Sequence, residues 1–530
     1  MSGLRREDAA ARREMNDTEA QPLLRRQLTS SVAESIHMYV QLGVVAICMA
    51  SSAACIGSAA ELLLDWRFGF CRSSPWLLSE YCPTDSYVRW EDVIVSQGGA
   101  LLWLRVVYST LLGCLAACLV KVFASSASGS GIPEIKAHMN GLDVGAPETF
   151  APRVLAIKSV ALIMSVGSGL SLGYEGPYIH IAVCWANLVQ RLSKLKPMPM
   201  LKRSSALNTP SLAACAAGSA CAVAVAFAAP FGACVFILEE FIIEQGHTSS
   251  SELLQMAWTS VVSVMVLHVL KSREAGSIIL MALSGELHWT WFELPLFLII
   301  GFSCGTLGIL FKTCYLEIYR LRSGQRWWKH APILEAGLVC VVTTVFSFTF
   351  PVSEVRLSSS DLLKALYEPC QWSNQLESTV LCHAPGFVTW IGSLFAILVL
   401  KFVLSILAIP LRLPSGTFIP SFFLGATGGR CIAALTYSFG SFIHVLPVCA
   451  QENRCIQPHL YALLGSCSFL SGVTNGWFSV ALISVELTGS LQHSLPVLTC
   501  VIASKLACRA LESTSLYDGL IEQKGYAAVM

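Results

Sequence analysis

The sequence predicts an all-α polytopic membrane protein, and three observations carry the prediction. First, the 530 residues are 54% hydrophobic and only 13% charged, with a mean hydropathy of +0.61. A soluble domain carries about 25% charged residues, so water cannot be the main solvent of this chain. Second, apolar runs near the roughly 20 residues that cross a hydrocarbon core recur along it. Third, glycine and proline break several runs, which suggests broken and re-entrant helices of the kind tolerated only beside protein or a water-filled path. A net charge of +1 argues against nucleic acid as a partner, since no basic stripe runs along the chain to meet phosphates.

Taken in order, the chain opens with a polar tail over 1–33, and the membrane domain is expected over 34–530. Met1 to Ser30 mixes six arginines with five acids and has no apolar run, so it is a cytosolic tail and not a secretory signal. Within it, Glu19-Ala20-Gln21-Pro22-Leu23-Leu24 has the shape of an acidic dileucine sorting signal, the alternative being plain tail. Ile36 to Ala60 is free of charge and ends at Glu61. Further apolar stretches lie near 98–120, 154–173, 176–190, 204–238, 256–270, 291–314, 333–352, 385–411, 413–429, 431–448, 456–485 and 487–504. Pro230 is expected to break the 204–238 stretch, and Gly472 to Gly476 to interrupt 456–485.

Loop charge sets the topology. Arg191, Lys194, Lys196, Lys202 and Arg203 form one basic cluster, and Arg320, Arg322, Arg326 and Lys329 another. Both go to the cytosolic side with the tail. Of 21 cysteines, most sit in apolar runs as small hydrophobes. Three pairs fall in polar loops instead: Cys71 with Cys82, Cys370 with Cys382, and Cys449 with Cys455. These are either disulfides facing an oxidising lumen or exterior, or unpaired thiols. No metal-ligand spacing is present.

Ser128-Gly129-Ser130-Gly131-Ile132-Pro133 and Ser415-Gly416-Thr417-Phe418-Ile419-Pro420 share the pattern Ser-Gly-x-x-Ile-Pro in opposite halves of the chain. Matching Gly/Pro interruptions in two halves point to a midplane site between repeats. Gly173-Tyr174-Glu175-Gly176-Pro177 is a third such segment. In each, glycine permits a tight turn and proline suits the first helical turn. The outcome is a helix end whose free N–H groups can hold an anion without a full positive charge, as a site that must also release its ion requires. The plainer alternative is three ordinary helix starts.

Gly-Ser-Gly-Ile-Pro-Glu134, Gly-x-Glu-Gly-Pro and Gly-x-Phe-x-Pro, in this order, resemble the signature of the CLC chloride channel and transporter family. The likeness runs from about Ile36 to Met530, includes Phe227 to Glu240 and Glu486-Leu487-Thr488-Gly489, and is greatest toward the eukaryotic endosomal and lysosomal chloride/proton exchangers. It implies a CLC-type fold of two inverted repeats, a homodimer with a path in each protomer, an internal membrane, and chloride and H+ as transported ions without a cofactor. It also implies site residues. Ser130 and Tyr517 would give hydroxyls to the anion, with backbone N–H groups near Phe418 and Ile419. Glu175 would be the gate and proton carrier, and Glu240 the internal proton relay. The alternatives are an interfacial aromatic at Tyr517, a helix-capping carboxylate at Glu175, and a pair of water-reaching glutamates at Glu239 and Glu240. Adjacent helical residues lie about 100° apart, so only one of that pair can face a given path.

Two features depart from the family pattern. Tyr174 stands where most relatives carry lysine or arginine, and the chain stops thirteen residues after Tyr517, where eukaryotic relatives usually continue into paired CBS domains. No CBS-bound nucleotide is therefore expected. The reading is secondary active chloride/proton antiport, and its first rival is a passive, voltage-gated channel of the same fold. A membrane enzyme would need a nucleophile–base pair or metal ligands at helical spacing, and none is found. A non-transporting subunit with a decayed site is the third rival.

Overall fold

The structure, a computed structural model, describes residues 4–83, 86–94, 99–194, 210–242, 249–271, 289–324, 331–369, 380–382, 387–438 and 456–526. The side chains of residues 4–33, and with them the expected dileucine signal, lie outside the described set, as do Lys196, Lys202, Arg203, Arg326 and Lys329.

Among the described residues, the helices of eight or more residues fall into two successive series of eight. The first is α1 (Leu4–Asp65), α2 (Gly99–Phe123), α3 (Ile132–Met139), α4 (Pro152–Gly167), α5 (Glu175–Lys194), α6 (Leu212–Phe227), α7 (Pro230–Ile237) and α8 (Ser250–Lys271). The second is α9 (Leu294–Gly324), α10 (Pro332–Thr349), α11 (Ser359–Tyr367), α12 (Phe387–Ala408), α13 (Phe418–Ser438), α14 (Pro458–Thr474), α15 (Phe478–Thr488) and α16 (Ser494–Ala510), followed by α17 (Leu516–Lys524). Among the described residues, eight helices are long and apolar enough to cross a membrane. As expected, the 204–238 stretch breaks before Pro230 and the 456–485 stretch breaks between Thr474 and Phe478.

The packing repeats with the series. Helix α1 lies on α8 as α9 lies on α16, and α5 on α6 as α13 on α14. Counterparts also meet each other across the halves: α2 with α10, α5 with α13, and α7 with α15. At the centre, Gly173 and Gly416 form an antiparallel bridge, with reciprocal N–H···O=C bonds of 3.0 and 2.9 Å. The two halves thus enter the centre in opposite senses. Reciprocal capping repeats this relation farther out. Glu239, in the single π-helical turn Leu238–Ile242 that ends α7, accepts from the N–H groups of Trp477 (2.9 Å) and Ser479 (2.9 Å) at the start of α15. Glu486, near the end of α15, accepts from Phe231 (3.1 Å) and Gly232 (2.7 Å) at the start of α7. Each carboxylate satisfies orphan donors of the partner helix and complements its dipole.

This register corrects the sequence echo. Ser128–Pro133 starts α3, whose counterpart is α11, whereas Ser415–Pro420 starts α13. The true counterparts are Gly173-x-x-x-Pro177 and Gly416-x-x-x-Pro420. They share only glycine and proline, because their middle residues have different tasks. A second correction concerns 413–429 and 431–448, read as separate stretches around Arg430. Helix α13 runs through Arg430 to Ser438. The buried guanidinium is fully used: Nε donates to Leu366 O (2.8 Å), Nη1 to Leu381 O (3.0 Å), and Nη2 to Ala365 O (3.3 Å) and Glu368 O (2.7 Å). It thereby caps the end of α11. A charge inside an apolar helix is tolerated when its hydrogen bonds are this complete.

Helix α13 is the innermost span, with 89% of its apolar window buried against 33% for α2, so it lines the interior and not the lipid. Between α1 and α2 the strands β1 (Gly69–Cys71) and β2 (Tyr87–Arg89) pair antiparallel, and Cys71 is disulfide-bonded to Cys82 as expected. Cys382 is also in a disulfide. Cys370, Cys449 and Cys455 lie outside the described residues.

Candidate anion and proton site

Three helix starts converge at the Gly173–Gly416 bridge. Gly129 donates its N–H to Leu413 O (2.9 Å), tying the loop before α3 to the loop before α13. A Cβ on Gly176, in the first turn of α5, would lie 2.6 Å from Cβ of Ser130 and 3.6 Å from Cα of Gly416. The three motifs singled out in the sequence therefore stand at one place, although about 290 residues separate the first from the last.

The loop before α3 is held from behind. Gly131 has φ +86°, a left-handed conformation that glycine adopts without strain, and a Cβ there would strike the His180 ring. Lys158, fully buried in α4, donates to Gly129 O (3.0 Å) and lies 2.9 Å from Nδ1 of His180. Nε2 of His180 lies 2.9 Å from Thr149 O. A carbonyl only accepts, so the ring proton sits on Nε2 and Nδ1 accepts from Lys158. Ile132 and Pro133 are buried in the first turn of α3. Ser130 Oγ accepts from the Ile132 N–H (3.3 Å), which engages a lone pair and leaves the hydroxyl proton free to turn toward an anion.

Tyr517 is fully buried, which removes the interfacial alternative. Its hydroxyl lies 3.2 Å from Thr417 Oγ1 at the start of α13. Phe418 and Ile419 begin α13 with Pro420 in the same turn, and their N–H groups are among those a helix leaves unpaired.

Glu175 is buried at the start of α5. Its Oε2 would be 2.4 Å from a Cβ on Gly173, so the carboxylate folds back over the motif glycine. The backbone N–H groups of Glu175 itself, Ile419 and Tyr174 act on the carboxylate, while Oε2 has no hydrogen-bond partner. The carboxyl group thus stands between the first turns of α5 and α13, where an anion from solution would find the same donors. Tyr174, in place of a basic residue, stacks on Tyr178 at 5.8 Å between centroids.

Glu239 and Glu240 divide as helical geometry requires. Glu239 faces α15 as its cap. Glu240 is buried on the other side, where Oε1 accepts from Lys136 Nζ (3.1 Å) and Ser515 Oγ (2.9 Å). Lys136 also pairs with Asp518 (2.5 Å). Ser515 meanwhile accepts from the Tyr517 N–H (3.3 Å) as the cap of α17. A second pair, Glu134 with Lys524, joins α3 to α17. Helix α17 therefore carries both the hydroxyl near α13 and the groups that hold Glu240. Beside Ser130 a recess of about 130 Å³ is lined by Arg322, Arg412 and Lys524, on the side that loop charge assigns to the cytosol.

Lys136, Ser515, Asp518, Thr417 and Lys158 are the site residues that sequence reasoning missed. The only signal was that each segment carries an acid followed by a base, Glu134/Lys136 and Asp518/Lys524, and no sequence pattern pairs segments so far apart.

Residues 112–509 match the family model described as voltage gated chloride channel. The chain is 29% identical over 540 residues to the human H(+)/Cl(-) exchange transporter 5, covering 94% of this chain and 64% of that protein. It is 29% identical to the mouse H(+)/Cl(-) exchange transporter 3 with the same coverage of each. It thus spans just under two thirds of the length of these curated relatives. Among solved structures, a eukaryotic CLC transporter matches with a TM-score of 0.66 and 24% identity over 92% of this chain and 74% of that one. A slow cyanobacterial Cl-/H+ antiporter matches with a TM-score of 0.69 and 18% identity over 92% and 97%. These two likenesses establish the fold.

Proposed function

The chain belongs to the voltage-gated chloride channel family, and within it we propose that it is a secondary active transporter exchanging chloride for protons. The observation that carries the reading is the position of Glu175, an ionisable carboxylate lying over anion-binding helix starts. Ionised, it competes with chloride for the N–H groups of α5 and α13. Protonated, it loses that attraction and leaves the place to the anion. One side chain then couples the two ions by mutual exclusion.

In this mechanism Ser130 and Tyr517 donate hydroxyls to chloride, and the N–H groups near Phe418 and Ile419 complete the shell. Neutral donors in a buried setting bind the anion and still release it. Gly129, Gly131, Gly173, Gly176 and Gly416 let backbones approach, and Ile132, Pro133, Pro177 and Pro420 fix the first helical turns. Glu240 relays protons from the cytosolic side, and its bonds to Lys136 and Ser515 support a group held in place. The names of the relatives, H(+)/Cl(-) exchange transporters, support exchange. A homodimer in an endosomal or lysosomal membrane, with residues 1–33 as cytosolic tail and 34–530 as transport domain, completes the proposal on the resemblance.

The test is chloride efflux from sealed liposomes at several pH values. Glu175→Gln, a mimic of the protonated gate, is expected to pass chloride with no proton movement and no pH dependence. Persisting proton movement in that variant contradicts the assignment. Equal chloride and proton behaviour of Glu240→Ala and the parent favours the passive channel instead.

A further inference from the structure

Away from the site, on the side of the Cys71–Cys82 loop, a pocket of about 360 Å³ lies between the end of α1 and the start of α2. Its walls include Trp66, Phe70, Trp90 and Leu104, and two arginines line it, Arg67 and Arg105. Both are more than nine-tenths buried, at 4% and 6% exposure. The other polar wall groups are already used: Trp66 Nε1 donates to Pro75 O (3.0 Å), Trp90 Nε1 to Trp66 O (2.8 Å) and Tyr108 Oη to Leu63 O (2.8 Å).

The arginines are not used to the same degree. Arg105 has one acid, Glu91 at 3.0 Å, whose side chain is half exposed. The Arg67 guanidinium has no hydrogen-bond or ion-pair partner among the described residues, and its Nε is buried without one. The nearby acid Asp65 accepts instead from the Ser79 N–H (2.8 Å). Arg67 lies over the rings of Phe68 and Phe348, at 5.9 and 5.5 Å. Cation–π contacts offset only part of the cost of burying a guanidinium. Two cations against one acid leave the pocket short of an anion.

The walls say what kind of anion. Around Leu104, the α2 face carries exposed Trp103, Val107 and Leu111, so the pocket mouth opens where a membrane helix meets acyl chains. We propose that this pocket binds an anionic amphiphile, an acyl chain with a carboxylate or phosphate head, its head on Arg67 and Arg105 and its chain along Phe70 and Leu104. A small inorganic anion would satisfy the arginines and leave the apolar walls unused. An uncharged lipid would do the reverse.

The test uses the full chain in phosphatidylcholine nanodiscs with three photoactivatable probes: palmitate, phosphatidylglycerol and phosphatidylcholine. Cross-links are located by peptide mapping. Palmitate or phosphatidylglycerol is expected to label the Trp66–Phe70 and Leu104–Tyr108 peptides above phosphatidylcholine. That labelling should fall about fivefold in Arg67→Gln, the loss set by one arginine facing an anionic head. Leu104→Trp, which keeps both arginines and fills the mouth, should lower it as well, and it decides the matter if Arg67→Gln does not fold. Labelling by palmitate alone identifies a free fatty acid as the source, and labelling by phosphatidylglycerol identifies a bilayer lipid. Equal labelling by all three probes, none in these peptides, or no change in Leu104→Trp overturns the proposal.

Discussion

At the residue scale the molecule separates two adjacent glutamates by what each touches. Glu239 holds three backbone N–H groups of α15 and the Ser479 hydroxyl, so Glu239→Gln should cost stability, about 1 kcal/mol for a lost cap, and leave transport stoichiometry unchanged. Glu240 faces Lys136 and Ser515 instead. Removing the ammonium with Lys136→Met strands a buried carboxylate, a change worth about 3–5 kcal/mol in such settings. Proton flux in liposomes should then fall by more than about tenfold, with chloride flux retained and partial rescue by Lys136→Arg. If Lys136→Met slows both ions equally, Lys136 serves the fold and not the relay. Tyr517→Phe removes one neutral hydroxyl beside Thr417, so the account expects chloride affinity to weaken by only about 1 kcal/mol, read from the chloride dependence of flux.

At the scale of elements, close approach and capping position the site. Gly176→Ala would drive a methyl group into Cβ of Ser130, and overpacking of this kind costs about 1–3 kcal/mol. Chloride flux should drop with little loss of folded protein, as measured by size-exclusion yield beside the flux assay. Arg430→Met leaves four carbonyls around α11 without a donor and should lower the thermal unfolding midpoint sharply, by the equivalent of about 3–5 kcal/mol. Most elements were legible in the sequence because proline, glycine and charge mark helix ends: Pro230 and the Gly472–Gly476 interruption stand where α7 and α15 are set off. Arg430 misled for the same reason, since a charge reads as a boundary until its carbonyl partners are known. Glu175 and Ser130 stood out through local motif chemistry. Lys136, Asp518 and Ser515 did not, because their meaning lies in the contact of α3 with α17, which only the folded chain makes. The repeat register was hidden too. The halves share geometry at Gly173 and Gly416, while the visible echo joins helices that are not counterparts.

At the scale of the whole molecule, two inverted halves bring helix starts from opposite directions to one buried place, and α17 adds the tyrosine and the support for the inner glutamate. That arrangement sets one carboxylate, Glu175, over the converging helix starts and a second, Glu240, against α3 and α17. Obligatory exchange of the two ions is read out with the purified chain in sealed liposomes. An outward chloride gradient is imposed, voltage is clamped with valinomycin and potassium, and external pH is followed. The account predicts that protons move uphill at the expense of chloride, and that Glu240→Ala abolishes proton movement while chloride continues. Chloride flux without proton movement in the parent protein would contradict it and make the chain a passive channel.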